Sequence, residues 1–198
     1  MSEADGRVLP ALDTFPGLVL ALTALSGELP AALVSRLPAS DTYKEYAVKR
    51  LKRDNLLRTF YRNGVRGLRL TAAAKRLLVE CWPDQFLPYL SGSTETNQLK
   101  SEVARRLRLH RMAEVLVTML NADVSVLPWE KPTLFAPTPP AGLTALDRPA
   151  YYSSREVKEL GEQAVKIRGS RSTGVLLTDN DIFIVYNTGP GHLDPHNI

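Results

Sequence analysis

Residues 42–70, TYKEYAVKRLKRDNLLRTFYRNGVRGLRL, decide the predicted fold of this 198-residue chain. They predict a helix that begins at Thr42 and ends before Asn55, a residue that tolerates the left-handed conformation found where many helices stop. Thr42 and Glu45 have the spacing of a capping box. Asn63-Gly64, set between two short segments, predicts a two-residue hairpin turn. The stretch therefore predicts one helix followed directly by a β-hairpin.

The predicted helix has an apolar side and a basic side. Its apolar residues are Tyr43, Ala47, Val48 and Leu51. They recur at helical spacing, so we expect them to face the core. The other side carries Lys44, Lys49, Arg50, Lys52 and Arg53. A basic helix followed by an arginine-bearing hairpin is typical of a helix that enters the major groove beside a wing that meets the phosphates.

The positive charge of the chain is concentrated in this region. The net charge is only +4, yet residues 41–80 hold eleven Lys or Arg against four Asp or Glu, a local excess of seven. The remaining residues together carry a small net negative charge. Such concentration indicates a binding face for a polyanion.

Seven side chains are the candidates for DNA contact: Lys44, Tyr46, Lys49, Arg50, Arg53, Arg62 and Arg66. Lys49 and Arg50 are expected to read base edges, since a bidentate arginine on guanine is the commonest specific contact. Arg53 is assigned to a phosphate, and the two hairpin arginines to phosphate or the minor groove. The alternative is a solvated helix face, because Lys and Arg are good helix formers.

Upstream of the basic helix, the sequence predicts a mobile leader and two helices. The leader covers residues 1–13. Residues 15–25 are almost all apolar and predict a core helix, with Pro16 allowed in its first turn. This run is too short to span a bilayer, which takes roughly 20 residues. Residues 26–30 break the helix, and residues 31–37 form a short second one.

Three helices followed by a hairpin is the order of a winged-helix domain. Residues 53–57, RDNLL, precede the hairpin turn, and residues 67–71, GLRLT, lead into a helix over residues 72–82. In these motifs, residues 14–82 resemble the winged helix-turn-helix superfamily. In that family the recognition helix ends in a basic turn with Gly or Asn before Leu, and an aliphatic-Thr pair caps the helix after the wing. The residues of that last helix expected to face inward are Leu77, Leu78 and Cys81.

A long helix is predicted over residues 97–122, after a connector at residues 83–96. Its apolar stripe consists of Leu99, Val103, Leu107, His110, Ala113, Leu116, Val117 and Leu120. His110 is read as a core or interface histidine with one hydrogen bond. The arginines at positions 105, 106, 108 and 111 either extend the basic surface or form the solvent side of the helix. The stripe either pairs two copies of the chain in a homodimer or packs on the C-terminal sheet.

The C-terminal part predicts a small α/β region. Residues 123–127 alternate like a strand, and residues 128–149 form a Pro-rich loop with a further candidate strand at residues 133–135. Tyr151-Tyr152 predict a short strand. Ser153 and Glu156 form a second capping box that opens a helix to about residue 167. An apolar hairpin follows over residues 173–178 and 182–187, expected to be buried, and residues 188–198 form a flexible tail.

The predicted fold is therefore α+β: a winged helix at residues 14–82, then a linking helix and a small α/β domain at residues 97–187. The layout of the second part, with Arg-Leu-His-Arg at residues 108–111, more distantly resembles replication-relaxation proteins of bacterial mobile elements. The predicted function is duplex DNA binding, as a transcriptional regulator or as an accessory in plasmid or mobile-element replication or transfer. The alternatives are a winged helix that binds protein and a metal-dependent nuclease.

The nuclease alternative depends on Asp147 and the triplet Glu156-Val157-Lys158, which spell the D…ExK pattern of metal-dependent nucleases. The capping box accounts for Glu156 equally well, and we favour it. The motif His192-x-Asp194-x-His196 has metal-ligand types, but it lies in the predicted tail with no scaffold to orient it. We therefore predict no metal, no cofactor and no enzymatic activity.

Three features that the sequence lacks predict the cellular compartment of the protein. The single cysteine, Cys81, excludes an intrachain disulfide and a thiolate zinc cluster, and it fits a reducing compartment. The first residues, MSEADGRV, lack the basic start of a secretory signal. No apolar run reaches membrane-spanning length. We expect a cytoplasmic protein that does not bind membranes.

Overall fold

The computed structural model describes residues 8–90, 102–132, 147–159 and 172–187. The chain divides into two compact units, Met1–Val117 and Thr118–Ile198. Each unit combines helices with a three-stranded antiparallel sheet, which confirms the α+β class. Among the described helices, none is both long enough and apolar enough for a bilayer crossing.

The first unit is built from helices around one small sheet. Its elements are α1 (Phe15–Ser26), β1 (Leu29–Pro30), a 3-10 helix (Ala31–Arg36), α2 (Asp41–Arg53), β2 (Leu57–Arg62), β3 (Val65–Leu70), α3 (Ala72–Cys81), α4 (Pro83–Leu90) and α5 (Val103–Asn121), whose last residues belong to the second unit. The strand order is β1-β3-β2, so β3 is central. Residues 91–101, where the long helix was expected to begin, lie outside the described residues.

Helix α1 is the core of the first unit, as its apolar sequence predicts. The Thr14 hydroxyl caps it by accepting from the Gly17 backbone N–H at 3.3 Å, and Pro16 occupies the first turn. Nine of its residues are buried, so it packs with almost its whole circumference covered. Gly27 ends it at φ 80°, a conformation that costs glycine little.

Helix α2 begins one residue earlier than predicted and uses a different cap. Ser40 is the N-cap, and its hydroxyl accepts from the Tyr43 backbone N–H at 3.4 Å. The predicted capping box of Thr42 and Glu45 is therefore wrong, and the Glu45 carboxylate instead meets Lys49 one turn later at 3.2 Å. The predicted end is confirmed, since Asn55 has φ 54°.

The hairpin forms as the Asn-Gly signal predicts. Asn63 and Gly64 have φ of 50° and 75°, which matches the two positive values of a type I′ turn. Arg62 therefore pairs with Val65 across the strands. Leu57, Leu68 and Leu70 are buried and fix this register, because a one-residue slip would turn them to the other face.

The helices after the hairpin depart from the prediction at two places. Thr71 caps α3 as expected, accepting from the Ala74 backbone N–H at 3.1 Å. Cys81 was expected to face inward, but it is exposed, because it is the last residue of α3 and lies beyond the buried Leu78. The predicted connector at residues 83–96 is wrong over its first part, where Pro83 opens α4 and Phe86 is fully buried.

The second unit holds a separate sheet with strand order β4-β5-β6. Its elements are a 3-10 helix (Pro128–Glu130), β4 (Ala150–Ser153), α6 (Ser154–Glu159), β5 (Ser172–Leu177) and β6 (Ile182–Tyr186). The strand predicted at residues 123–127 is reduced to one parallel bridge between Ser125 and Ala150. The strand predicted at residues 133–135, the later part of the helix after Ser153, and the tail lie outside the described residues.

The C-terminal hairpin forms where it was predicted, but its expected burial is wrong for the second strand. Ile182, Phe183 and Ile184 are 74%, 49% and 53% exposed. Among the described strands β6 is the last one in its sheet and pairs with β5 alone, so no described strand lies beyond it.

A buried lysine holds the second unit together. The Lys131 ammonium donates to the carbonyls of Val126 at 3.2 Å and Tyr151 at 2.8 Å, and it pairs with Glu156 Oε1 at 2.5 Å. The other Glu156 oxygen accepts from the Ser153 backbone N–H at 2.7 Å, which confirms the capping box. Burial lowers the pKa of Lys131 although Glu156 opposes the shift. Three donors therefore meet three acceptors, as a buried ammonium requires.

Lys131→Met should destabilise the second unit by about 3 kcal/mol, because it leaves Glu156 and two carbonyls without their shared donor. The matched control is Arg148→Met, which removes an exposed pair with Asp123 (3.2 Å) and should cost less than about 1 kcal/mol. Urea unfolding measures the free energy of unfolding of both variants. Hydrogen exchange of the amides of residues 150–153 reports on the second unit in each of them. Equal losses in the two variants would contradict the assigned role of Lys131.

Candidate nucleic-acid interface

One side of α2 presents the predicted DNA-contacting residues to solvent. Tyr46 is 54% exposed, and the side chains of Lys49, Arg50 and Arg53 are 77%, 57% and 73% exposed. The opposite side of the helix buries Ala47 and Leu51. We call the exposed set Tyr46, Lys49, Arg50 and Arg53 the basic ridge. Its formation follows from the helical period, which separates the two sets around the axis.

The acidic residues on α2 engage the ridge only weakly. Lys49 lies 3.2 Å from Glu45, and Arg50 and Arg53 each lie 3.6 Å from Asp54. Exposed pairs of this kind contribute about 0–1 kcal/mol. A phosphate could therefore replace these carboxylates at little cost.

Lys44 does not lie on the ridge, so its predicted place on the exposed side of α2 is wrong. Only 10% of its side chain is exposed, and its ammonium donates to the Ser35 carbonyl at 2.7 Å and to Asp41 at 3.1 Å. Lys44 precedes Ala47 by three residues, about one helical turn, so it lies on the same core-facing side of α2. The prediction for Tyr43 is wrong in the opposite direction. Tyr43 was expected to face the core, but it is 44% exposed, and its ring lies beside that of Phe15.

The two arginines that flank the hairpin turn lie on opposite faces of the hairpin. Arg66 pairs with Tyr61, whereas Arg62 pairs with Val65, and neighbouring residues along a strand alternate between faces. Tyr61 is 69% exposed beside Arg66, a candidate contact that the sequence interpretation missed. The signal for it was the position of Tyr61 near the Asn63-Gly64 turn, at the end of the strand away from the buried Leu57.

The hairpin is fastened to the rest of the unit by a buried carboxylate that the sequence interpretation also missed. Glu28, just before β1, is fully buried. It accepts from Arg106 Nη2 at 2.6 Å, from Arg69 Nε at 2.6 Å and from His110 Nε2 at 2.8 Å. The expected single hydrogen bond of a packed histidine is thus confirmed for His110. The cluster joins α5 to β1 and β3.

Arg106 extends this cluster onto the hairpin backbone. Its guanidinium donates to the carbonyls of Phe60 at 3.2 Å, Arg62 at 3.1 Å and Val65 at 3.0 Å. These carbonyls belong to both strands near the turn, so one side chain of α5 fixes the position of the hairpin tip. Both alternatives offered for this arginine, basic surface or solvent side, are wrong, since Arg106 is fully buried.

Gly67 is required by the same cluster. A Cβ atom at this position of β3 would collide with the Glu28 carboxylate. No other residue type leaves this space empty, so the glycine permits the close approach of the carboxylate to the strand.

The cluster keeps Glu28 ionised. Burial alone would raise its pKa, but hydrogen bonds from His110, Arg106 and Arg69 together lower the pKa to about 2. A buried charge is tolerable only where its oxygens are satisfied, and here both oxygens accept hydrogen bonds.

No metal centre is found in the part of the chain that the structure describes. Groups of three or more potential metal ligands are absent there. Both oxygens of Glu156, the central residue of the nuclease pattern, are held by Lys131 and Ser153. The motif at residues 192–196 lies outside the described residues.

Arg106→Gln should destabilise the first unit by about 3–5 kcal/mol, because Glu28 loses its main partner while it stays buried. The control Arg108→Gln removes an exposed arginine two residues away and should change stability by less than about 0.5 kcal/mol. Urea unfolding provides the free energies, and hydrogen exchange at residues 60–66 reports the hairpin. Similar values for the two variants would show that the cluster does not fix the hairpin.

Glu28 should also make stability fall in acid. Its folded-state pKa of about 2 lies below the ordinary 4.5, so its contribution is complete above pH 4.5 and is lost as the pH falls from 4.5 toward 2. The unfolding free energy of the wild type should drop steeply in this window. Glu28→Gln should be less stable at pH 7 and should lack this part of the slope. A wild-type slope retained in the variant would assign the acid sensitivity to other groups.

Comparisons with known proteins identify no relative. No family model, no curated protein and no solved structure matches the chain.

Proposed function

We propose that this chain binds duplex DNA through a winged helix formed by residues 14–82, with α2 as the recognition helix and β2–β3 as the wing. The observation that carries the proposal is the basic ridge, whose three cations and one aromatic side chain all lie on the solvent side of one helix. The element order and the sheet order β1-β3-β2 support it, because they set the hairpin beside that helix.

The residues of the ridge and wing take separate roles in this proposal. Lys49 and Arg50 read base edges in the major groove, and Arg53 meets a phosphate. Arg66, on the same hairpin face as the exposed Tyr61, contacts the backbone beside the helix. Arg62 approaches from the other face of the hairpin. Lys44 is left out because its ammonium is occupied inside the unit.

Arg106 gives the wing a fixed position before DNA arrives. Because it bonds both strands near the hairpin tip, little conformational entropy remains to be lost there on binding. The proposed role is a cytoplasmic transcriptional regulator, or an accessory in replication or transfer of a plasmid or mobile element, with the second unit as a sensing or docking module. A homodimer through residues 97–122 stays a prediction, with the exposed Leu107 as a candidate contact.

A winged helix that binds protein is the second candidate. Tyr46 and Tyr61 favour it, since exposed tyrosines are common at protein interfaces. Salt separates the two functions. DNA affinity should fall steeply with salt. On a plot of the logarithm of the binding constant against the logarithm of the salt concentration, each phosphate contact should contribute about 0.9 to the slope.

Replacing Lys49, Arg50 and Arg53 by Ala should weaken binding to random-sequence duplex by about a hundredfold or more, because three groove or phosphate contacts are lost. The logarithmic salt slope should fall by up to about three. Fluorescence anisotropy with a labelled duplex, at several salt concentrations, measures both quantities.

The matched control removes the same charge away from the ridge: Arg36→Ala with Lys75→Ala and Arg76→Ala. Its affinity for duplex should stay within about threefold of the wild type, as expected when only the long-range field changes. If both triple variants lost the same affinity for duplex, the change in net charge alone would explain the loss. A wild-type affinity in the ridge variant would refute the proposed interface.

A further inference from the structure

A groove of about 1010 Å³ opens in the first unit beside the basic ridge. Four elements form its walls: the 3-10 helix, α2, the hairpin tip and α5. Its size is that of sites that hold drug-sized molecules, which range over roughly 300–1,000 Å³.

Part of the groove lining is apolar, and we call this part the floor. Val48 comes from α2, Val65 and Leu68 from the hairpin, and Leu107 from α5. Leu107 is 41% exposed, and it was expected on the packed stripe of its helix. Apolar surface left open in a concave site favours a ligand with an apolar body.

The lining of the groove also carries two cations, Lys52 and Arg66, that have no acidic partner among the described residues. The acids of the groove already have partners, since Asp41 meets Lys44 at 3.1 Å and Glu45 meets Lys49 at 3.2 Å. Within the described part of the chain, no carboxylate pairs with Lys52 or Arg66. Lys52 and Arg66 line the same groove, and burial, then the charge of Arg66, lower the pKa of Lys52.

We propose that this groove binds a small organic anion with an apolar body, such as an aliphatic or aromatic carboxylate. The anionic group lies between Lys52 of α2 and Arg66 of the hairpin, where it relieves their mutual repulsion. The apolar body covers Val48, Val65 and Leu107. A bare inorganic anion would leave this floor open to water, so both parts of the ligand are needed.

The groove is lined by residues that also take part in the proposed DNA binding. Arg66 belongs to both sites, so a bound anion competes for it. His110 also lines the groove. Its Nε2 atom lies 2.8 Å from the Glu28 carboxylate, which fastens the hairpin to the rest of the unit. A ligand here is thus placed to act as an effector. Ligand binding in this groove does not depend on the proposed DNA binding, so it can be tested without DNA.

Sodium octanoate is the probe, with octan-1-ol and inorganic phosphate as comparison ligands, titrated into the full chain by NMR and calorimetry. Octanoate should shift amide signals of residues 48, 52, 65, 66 and 107. Octan-1-ol, which lacks the charge, and phosphate, which lacks the apolar body, should each bind at least tenfold more weakly. Lys52→Gln with Arg66→Gln should weaken octanoate binding at least tenfold, while Arg76→Gln, outside the groove, leaves it unchanged.

Three results would overturn the proposal. These are octanoate binding that the double variant does not alter, phosphate binding as tight as that of octanoate, and no shift at the five groove residues. Leu107→Asp gives an independent check, since it places a like charge on the floor and should also abolish octanoate binding. Loss of DNA affinity on adding octanoate, in wild type but not in the double variant at matched DNA occupancy, would support the effector role.

Discussion

The buried ion pair between Glu28 and Arg106 is the interaction on which the first unit depends. Two fully buried charges are costly to remove from water, and they are tolerated only when their remaining hydrogen-bonding positions are filled. Here the carboxylate accepts from Arg69 and His110 as well, and the guanidinium donates to three hairpin carbonyls. The chain segments thus joined lie far apart in sequence, so the cluster sets the tertiary arrangement.

This constraint connects stability with the proposed function. The hairpin tip is held from behind by α5 while its other face, with Tyr61 and Arg66, stays open. In the proposed function, a hairpin held in this way would present its charges at a fixed distance from α2, which favours specificity over adaptability. The groove beside them depends on the same arrangement, because two of its walls, the hairpin and α5, are joined by Arg106.

Much of the local structure could be predicted, because it rests on interactions between residues close in sequence. The Asn63-Gly64 turn, the left-handed Asn55, the Thr71 cap and the Ser153–Glu156 capping box all form as expected. The errors about burial have a common source. Lys44, Cys81, Arg106 and the apolar strand β6 were each assigned by residue type or period, but their burial depends on what another segment places against them.

The sequence by itself determined the positions of α1, α2, α3 and the two hairpins, the concentration of positive charge between residues 41 and 80, and the exposed ridge of α2. Those features follow from capping, turn conformations and the helical period, which act within a few residues. Only the tertiary structure decided that Arg106 is a buried anchor, that Gly67 must lack a side chain, and that Lys52 and Arg66 flank one groove. The reason is that burial and charge pairing are properties of surfaces brought together from distant parts of the chain.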